Sequence, residues 1–357
     1  MAYNNTLNPS FLDWNTRLDP TGQVARVIEI LNQYNGILED MTATEGNLPT
    51  GHRTTIRSGL PLPTWRRLYG GVQPSKSTTV QVTEACGMLE AYSEVDKAMA
   101  DLNGNSEEFL LSEALPHIEA MSQEVARSTF YGDESVLPAG FTGLGPRYGT
   151  VNPANANNAF NVINFLGNSG GVGTPNQYVS AYLVVWSPET VTGIFPKGSQ
   201  AGLQINHKGQ VTVENSDSQT AGSGRFEAYR THFRWDLGLS VRDWRYVARV
   251  ANIDVTSTAG GLLTVAGQKA LVTSMIQAAE RIPNLNAGRA VWYLPRAARE
   301  ALRLGMVSNI GQNLTWDTVA GQRVMFFDGI PVKRVDALNT TNEAAQVGPN
   351  VSQGELS

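Results

Sequence analysis

The chain has 357 residues, 41% of them hydrophobic, so it is long and apolar enough to form two or three compact lobes and is not a disordered chain. Its net charge of −5 and sequence pI of about 5.5 exclude the basic excess that a dedicated nucleic-acid-binding protein usually carries. With one cysteine, Cys86, no internal disulfide can form, and no stretch approaches the roughly 18 apolar residues of a membrane span.

Residues 1–51 are predicted to form an N-terminal arm. One amphipathic helix is expected from about Thr21 to Met41, where apolar residues recur at helical spacing and Pro20 lies near the start. The first residues contain no basic region followed by an apolar run, so we predict no signal peptide and synthesis in the cytoplasm. A single helix between polar flanks has too little apolar mass to form a domain of its own.

Residues 52–85 are predicted to form a projecting hairpin. Its two β-prone arms, Arg53–Ser58 and Ser75–Thr83, are polar, and glycine and proline interrupt the chain between them. Because little apolar mass lies between the arms, the hairpin cannot build a core. A bare hairpin of this kind needs a partner to cover it.

Residues 106–131 carry the clearest helical pattern of the chain. Ser106 is the predicted N-cap, Pro116 predicts a kink, and Gly132 is expected to end the helix. Apolar residues at spacings of three and four are predicted to face the core. They are Leu111, Leu115, Ile118, Met121 and Val125.

Residues from 138 to about 325 mix strand and helix patterns and form the largest predicted region. The expected strands are Val179–Trp186, Gln210–Glu214, one or two strands in Phe233–Ile253, and Val291–Tyr293. The expected helices are Gly261–Arg281 and Pro295–Gly305. The dipeptide Asp328-Gly329 predicts a tight turn between strands 324–327 and 330–335, and the last 15 residues read as a loose tail. The strands and helices of residues 138 to about 325 predict a mixed α/β region.

The sequence shows no pattern typical of a metal or cofactor site. His52, His117, His207 and His232 lack metal-ligand spacing, and there is no CxxC motif. The glycine runs lack the Lys-Ser/Thr pair of a phosphate-binding loop. Cys86 stands in an apolar stretch, which favours a buried, inert thiol. We therefore predict no metal and no cofactor.

Two alternatives start from local motifs. Gly167–Gly171 resembles the nucleophile loop of trypsin-like serine proteases, with Ser169 as nucleophile, His52 as base and Asp96 or Asp101 between them. That fold needs two β-barrels where residues 106–131 predict a helix, so a flexible loop is favoured.

The second alternative is nucleic-acid binding by interleaved aromatic and basic residues. The two stretches are Arg225–Arg230 and Arg242–Tyr246. Alternating strand faces with paired arginine and aspartate side chains explain both stretches at least as well.

Six longer stretches resemble one family directly: residues 45–55, 71–79, 84–97, 194–203, 242–255 and 326–338. With the order of elements, they are similar to the capsid proteins of epsilon-fifteen-like podoviruses, which have the Hong Kong 97-type fold of tailed phages. The resemblance implies an α+β fold with these regions: an N-terminal arm at 1–51, an E-loop hairpin at 52–85, a P-domain with a spine helix at 86–137, an A-domain at 138–323, and closing P-domain strands with the C-terminal tail at 324–357.

The resemblance also implies a function, a major capsid protein that forms hexamers and pentamers of an icosahedral virion shell around double-stranded DNA. The hairpin is then expected to lie over a neighbouring subunit. The candidate contact residues are Arg53, Arg57, Trp65, Arg66, Arg67 and Lys76.

The implied partners are further copies of the chain, a portal protein, a decoration protein and DNA contacted non-specifically, with no membrane. A separate scaffolding protein is expected, because about 50 residues before the hairpin are too few for a fused scaffold domain. Assembly is expected in the bacterial host cytoplasm. A cellular compartment shell like that of encapsulins, which needs a cargo protein and no portal, is the runner-up.

Overall fold

The computed structural model describes residues 33–102, 106–150, 158–165, 178–214, 225–255, 261–307, 314–319 and 322–338. The described residues form six α-helices: α1 Ile37–Asp40, α2 Lys97–Ala100, α3 Ser106–Tyr131, α4 Leu144–Arg147, α5 Val265–Glu280 and α6 Arg296–Val307. They also form thirteen strands: β1 Ala43–Glu45, β2 Gly51–Gly59, β3 Thr78–Asp96, β4 Val162–Asn164, β5 Tyr178–Trp186, β6 Val191–Phe195, β7 Leu203–Glu214, β8 Arg225–Val241, β9 Val247–Asp254, β10 Arg289–Leu294, β11 Leu314–Val319, β12 Gln322–Phe327 and β13 Ile330–Arg334.

The described residues fall into two compact units. The first contains residues 88–125 and 200–236; the second contains 33–87, 126–199 and 237–338. These limits differ from the boundaries expected from the sequence. Residues 200–236, expected in the A-domain, group with the first part of α3, and the closing strands belong to the larger unit.

The core of the second unit is a mixed sheet covered by helices. All nine residues of β5 are buried, and β5 pairs antiparallel with both β9 and β10. Both faces of such a strand need apolar side chains, which explains the near-continuous apolar run in its sequence. Leu183 and its neighbours on one face of the sheet pack with residues of α5 and α6 such as Leu271 and Leu302. Phe130, near the end of α3, packs on Tyr182 of β5.

The closing strands behave as the sequence predicts. β12 and β13 form an antiparallel hairpin, and β13 then pairs parallel with β10. The turn places Asp328 at φ 50° and Gly329 at φ 75°, the left-handed conformation that Asp-Gly accommodates. The strand expected in Phe233–Ile253 is two strands, because Trp244–Tyr246 forms a single turn of 3₁₀ helix between β8 and β9.

The first unit packs α3 against the long strands β3 and β8. β7 and β8 pair antiparallel from Leu203↔Trp235 to Glu214↔Arg225. A small core holds Phe109 of α3, and the ring of His117 stacks on Phe233 at 5.6 Å. The first interleaved stretch lies on β8, where arginines pair with acids: Arg225 with Glu214, Arg230 with Glu94, and Arg234 with Asp236. The same holds in the second stretch for Arg245 with Asp243.

The bounds of α3 agree with the predicted helix, but its predicted core face needs correction. Met121 and Val125 are buried and Ile118 is half-buried, whereas Leu111 and Leu115 are exposed. Near the start of the helix the buried residue is Phe109. Residues two positions apart on an α-helix point in directions that differ by about 200° around the axis. Leu111 therefore points away from the side on which Phe109 is buried. The buried stripe thus winds around α3 and leaves Leu111 and Leu115 outside. The kink expected at Pro116 stays a prediction.

Two other predicted helices differ in extent. The part of the predicted helix Thr21–Met41 that the structure describes is helical only over Ile37–Asp40, because Asn35 forms a β-bridge with Val335. Residues 21–32 lie outside the described ranges. The helix expected to end at Gly305 continues to Val307.

A charge network around the buried Asp40 holds the described part of the arm. The side chain of Asp40 is fully buried and forms ion pairs with Lys333 Nζ at 3.0 Å and with Arg289 Nη2 at 2.7 Å. The hydroxyl of Tyr293 donates to Asp40 at 2.9 Å and accepts from Trp186 Nε1 at 2.7 Å. Burial together with the negative charge of Asp40 raises the pKa of Tyr293 well above its ordinary value, so the phenol stays a donor.

Candidate assembly interface

The hairpin predicted at 52–85 is formed by β2 and the first part of β3. The strands pair antiparallel from Gly51↔Ala85 to Arg57↔Thr79, and Gly59 pairs with Thr78 after a bulge. Side chains alternate between the two faces of such a ribbon. Arg53 and Arg57 lie on one face, and Ile56 lies on the other face with its partner Val80.

The tip of the hairpin, defined as residues 60–77, is exposed at every position and has no strand or helix. Six large apolar side chains of the tip are half exposed or more: Leu60, Leu62, Trp65, Leu68, Tyr69 and Val72. The expectation that little apolar mass lies between the two arms is therefore wrong for the tip. The stretch LPLPTWRRLY signals this, because leucine and aromatic residues alternate there with proline and arginine. Exposed apolar residues in this density mark a surface that another molecule covers.

The predicted contact residues are spread along the hairpin rather than gathered into one cluster. Arg53 is bound within the hairpin root: its Nε donates to Thr83 Oγ1 at 3.1 Å and its backbone N–H to Asn47 Oδ1 at 2.7 Å. Arg53 is nevertheless exposed, as are the other five: Arg57, Trp65, Arg66, Arg67 and Lys76. They are placed to meet another molecule, and their contact role stays a prediction.

At the root of the hairpin, a buried ion pair joins β3 to the α4 segment. Arg147 donates to both carboxylate oxygens of Glu84, at 2.7 and 2.9 Å, and the Glu84 side chain is 3% exposed. Arg147 also donates to the carbonyl oxygens of Thr142 and Leu239. A bidentate pair between a fork of donors and a carboxylate fixes orientation as well as distance. No sequence pattern signals this pair, because its members are 63 residues apart.

A second arginine binds the other strand of the root. Nη2 of Arg242 lies 3.0 Å from Nε2 of His52, and the backbone nitrogen of Asn47 lies 3.3 Å from His52 Nδ1. Burial lowers the pKa of His52, and the positive charge of Arg242 lowers it further. The imidazole is therefore neutral near pH 7 and has one acceptor nitrogen, which we assign to Nε2 because the contact with the guanidinium is the shorter of the two.

We expect acid to loosen this root. Since the folded-state pKa of His52 lies below its ordinary value of 6.5, the unfolded chain binds the proton first. The contribution of His52 to stability is complete above pH 6.5 and declines as the pH falls toward the folded-state pKa. Denaturant midpoints between pH 7 and 5 should therefore fall less in His52→Gln than in the parent chain. Equal slopes would show that His52 is not held neutral; His117, whose pKa burial also lowers, adds the same background to both proteins.

The protease alternative is not supported by the contacts of its proposed base and acids. Both ring nitrogens of His52 face donors, from Asn47 and Arg242, and neither faces a carboxylate. Asp96 caps α2 through the backbone N–H of Ala98, and Asp101 accepts from the Tyr229 hydroxyl at 3.4 Å. Ser169 lies outside the described residues.

Across the described ranges, no cluster of three or more His, Cys, Asp or Glu side chains is placed to hold a metal ion. No described helix has the length and apolar character to cross a membrane. Cys86 is half-buried rather than buried, with its thiol 3.9 Å from the carbonyl oxygen of Ile194.

Comparison with known proteins identifies the fold. Residues 19–346 match the family model described as major capsid protein GP7. The chain is similar to a solved structure of bacteriophage Epsilon15, with 31% identity and a TM-score of 0.76 over 97% of this chain and 100% of the other.

More distant similarities extend to other shells. The capsid of a native GTA particle gives 10% identity and a TM-score of 0.43 over 69% of this chain and 99% of that one. The SrpI encapsulin of Synechococcus elongatus PCC 7942 gives 11% identity and a TM-score of 0.40 over 66% and 95%. The chain matches no curated protein sequence. The family match over nearly the whole chain and the close structural similarity together establish that this chain belongs to the major capsid protein GP7 family and has the Hong Kong 97-like fold of phage capsids.

Proposed function

We propose that copies of this chain form the hexamers and pentamers of an icosahedral virion shell around double-stranded DNA, joined by the hairpin tip. The observation that carries the proposal is the exposure of Trp65 and its apolar neighbours on a tip without a core. A tryptophan that enters a pocket on a neighbouring subunit is the kind of residue that dominates an interface. Each contact can be weak, because every subunit makes several.

Charge supports one receiving surface on the neighbour, the outer side of α3. Residues 53–83 carry five basic and no acidic side chains, whereas α3 carries five glutamates and one arginine. Leu111 and Leu115 are exposed on α3 and offer apolar contact to the tip. Opposite charges guide the approach, and the apolar residues supply the affinity once water is excluded. We also propose the regions that the resemblance implies: the E-loop hairpin at 52–85, the P-domain with its spine helix at 86–137 and the A-domain at 138–323.

The remaining partners are proposed from the pattern that the resemblance implies. A separate scaffolding protein, a portal protein and a decoration protein are proposed, with assembly in the host cytoplasm. The acidic balance of the chain favours slight, non-specific contact with the packaged DNA. A structural role without enzymatic activity is proposed, and the contacts of His52, Asp96 and Asp101 favour it.

Trypsin tests the placement of the tip. Arg66 and Arg67 are exposed in the subunit, so trypsin should cut there rapidly in unassembled protein. In shells verified by electron microscopy, the same bonds should be protected at least about tenfold, because a covered tip must detach before cleavage. Cleavage at Arg225, an exposed arginine on β8, serves as the internal reference. Equal cutting of the tip in subunits and shells would refute its burial against a neighbour.

A further inference from the structure

Two arginines bind a single cross-strand pair at the root of the hairpin. His52 of β2 and Glu84 of β3 are direct partners in the strand register, so their side chains leave the same face of the ribbon. Arg242 binds the first and Arg147 the second. We call these four residues the arginine clamp. Both strands are thus held at one level, and neither can slide or tilt without breaking a charge-assisted hydrogen bond.

The backbone around the clamp is also tightly packed. A Cβ atom at Gly238 would lie 2.7 Å from the carbonyl oxygen of Ala85, and one at Gly87 would lie 3.2 Å from the carbonyl oxygen of Ala139. The β3 backbone therefore passes between the end of β8 and the segment before α4 with no room for larger residues. Backbone packing holds the root in place, and the clamp fixes its direction.

Beyond the clamp the hairpin acts as a lever. From His52 to Gly59 the strand extends about 23 Å at its usual rise per residue, and the exposed tip lies farther out. A rotation of about 10° at the root moves the far end of the strands by about 4 Å. Such a displacement is enough to take an anchor like Trp65 out of a pocket on a neighbour.

We propose that the clamp residues Glu84, Arg147, His52 and Arg242 are positioning residues for shell assembly. They set the direction of the hairpin before assembly and so determine whether the tip meets its receiving surface. The inference rests on the proposed contact between the tip and a neighbouring subunit. A subunit with a broken clamp is expected to fold and to carry an intact tip, but the tip samples a wider range of positions.

The variant Glu84→Gln tests this directly. It keeps the shape of the side chain, removes the charge, and turns one of the two acceptors toward Arg147 into a donor. The distance between spin labels at Gln73→Cys and Glu189→Cys, in a Cys86→Ser background, reports the tip position in free subunits. We expect the distance distribution to broaden about twofold. The yield of closed shells should fall about tenfold, because the variant loses a buried charge pair.

A matched control separates this effect from a general loss of charge. Glu214→Gln removes the carboxylate of the exposed pair with Arg225, whose side chains are 58% and 69% exposed, and should change neither readout. If Glu84→Gln proves insoluble, Arg147→Lys keeps the positive charge, gives up the fork of donors, and answers the same question by the same two readouts.

The outcomes distinguish this inference from the proposed function. An unchanged distance distribution, or normal shells from Glu84→Gln, would overturn the role of the clamp. Replacement of the tip itself, residues 60–77, tests the contact with the neighbour. If the tip replacement prevents assembly while Glu84→Gln assembles normally, the contact holds and the clamp inference is wrong. If the tip replacement forms normal shells, the proposed function of the tip is wrong.

Discussion

Replacing residues 60–77 with the dipeptide Asn-Gly should give a folded subunit that forms no closed shells. Gly59 and Thr78 are paired in the strand register, so a two-residue turn can join β2 to β3 without moving either strand. The deleted residues are exposed and contribute nothing to the buried core. Circular dichroism and the thermal midpoint should therefore stay within a few degrees of the parent chain, while electron microscopy shows subunits or open fragments.

The expected size of the assembly defect follows from the anchor residues. Truncation of one central tryptophan at an interface costs about 2 kcal/mol or more, and the deletion removes Trp65 with its apolar neighbours at every copy of the contact. Since shell growth multiplies that loss over many contacts, even a modest weakening prevents closure. The milder Trp65→Ala should lower shell yield, and Trp65→Phe should retain part of it. If the subunit with the shortened hairpin formed closed shells of normal diameter, the contact between subunits would lie elsewhere than at the tip.

Local patterns predict much of this fold because they depend on neighbours in the sequence. The bounds of α3, the buried strand β5 and the turn at Asp328-Gly329 follow from apolar periodicity and from the conformational freedom of aspartate and glycine. Contacts distant in sequence override these patterns elsewhere. The bridge from Asn35 to Val335 prevents the arm from being one helix up to Met41.

The candidate interface is predictable only in outline. A shortage of core mass predicts a projecting hairpin at residues 52–85; β2 and β3 pair as a hairpin there, and its role against a neighbour stays a prediction. The sequence does not show which arginines work inside the subunit. Arg147 and Arg242 bind Glu84 and His52 across 63 and 190 residues, and no spacing rule connects side chains so far apart. The hairpin arginines are close together in the chain and so are visible in the sequence, whereas the clamp depends on the fold.

The two halves of α3 should respond in opposite ways to an introduced carboxylate. Val125 is 3% exposed, and Val125→Asp would bury a charge without a partner, at a cost of about 4 kcal/mol or more. That is a large part of the roughly 5–15 kcal/mol that stabilises a typical domain, so we expect this variant to be insoluble or largely unfolded. Leu115 is 49% exposed, so the same substitution there places the carboxylate in water and should leave the subunit folded.

Assembly then reveals what the exposed leucines do. If the outer side of α3 receives the tip, Leu115→Asp and Leu111→Asp should give soluble subunits whose shell yield falls sharply, because the new charge must lose water on contact. Leu115→Met keeps an apolar side chain of similar volume and should assemble normally. Normal shells from both aspartate variants would mean that the exposed leucines face solvent in the particle and that the tip binds another surface. An unfolded Leu115→Asp subunit would instead restore the core role that helical periodicity assigned to this face.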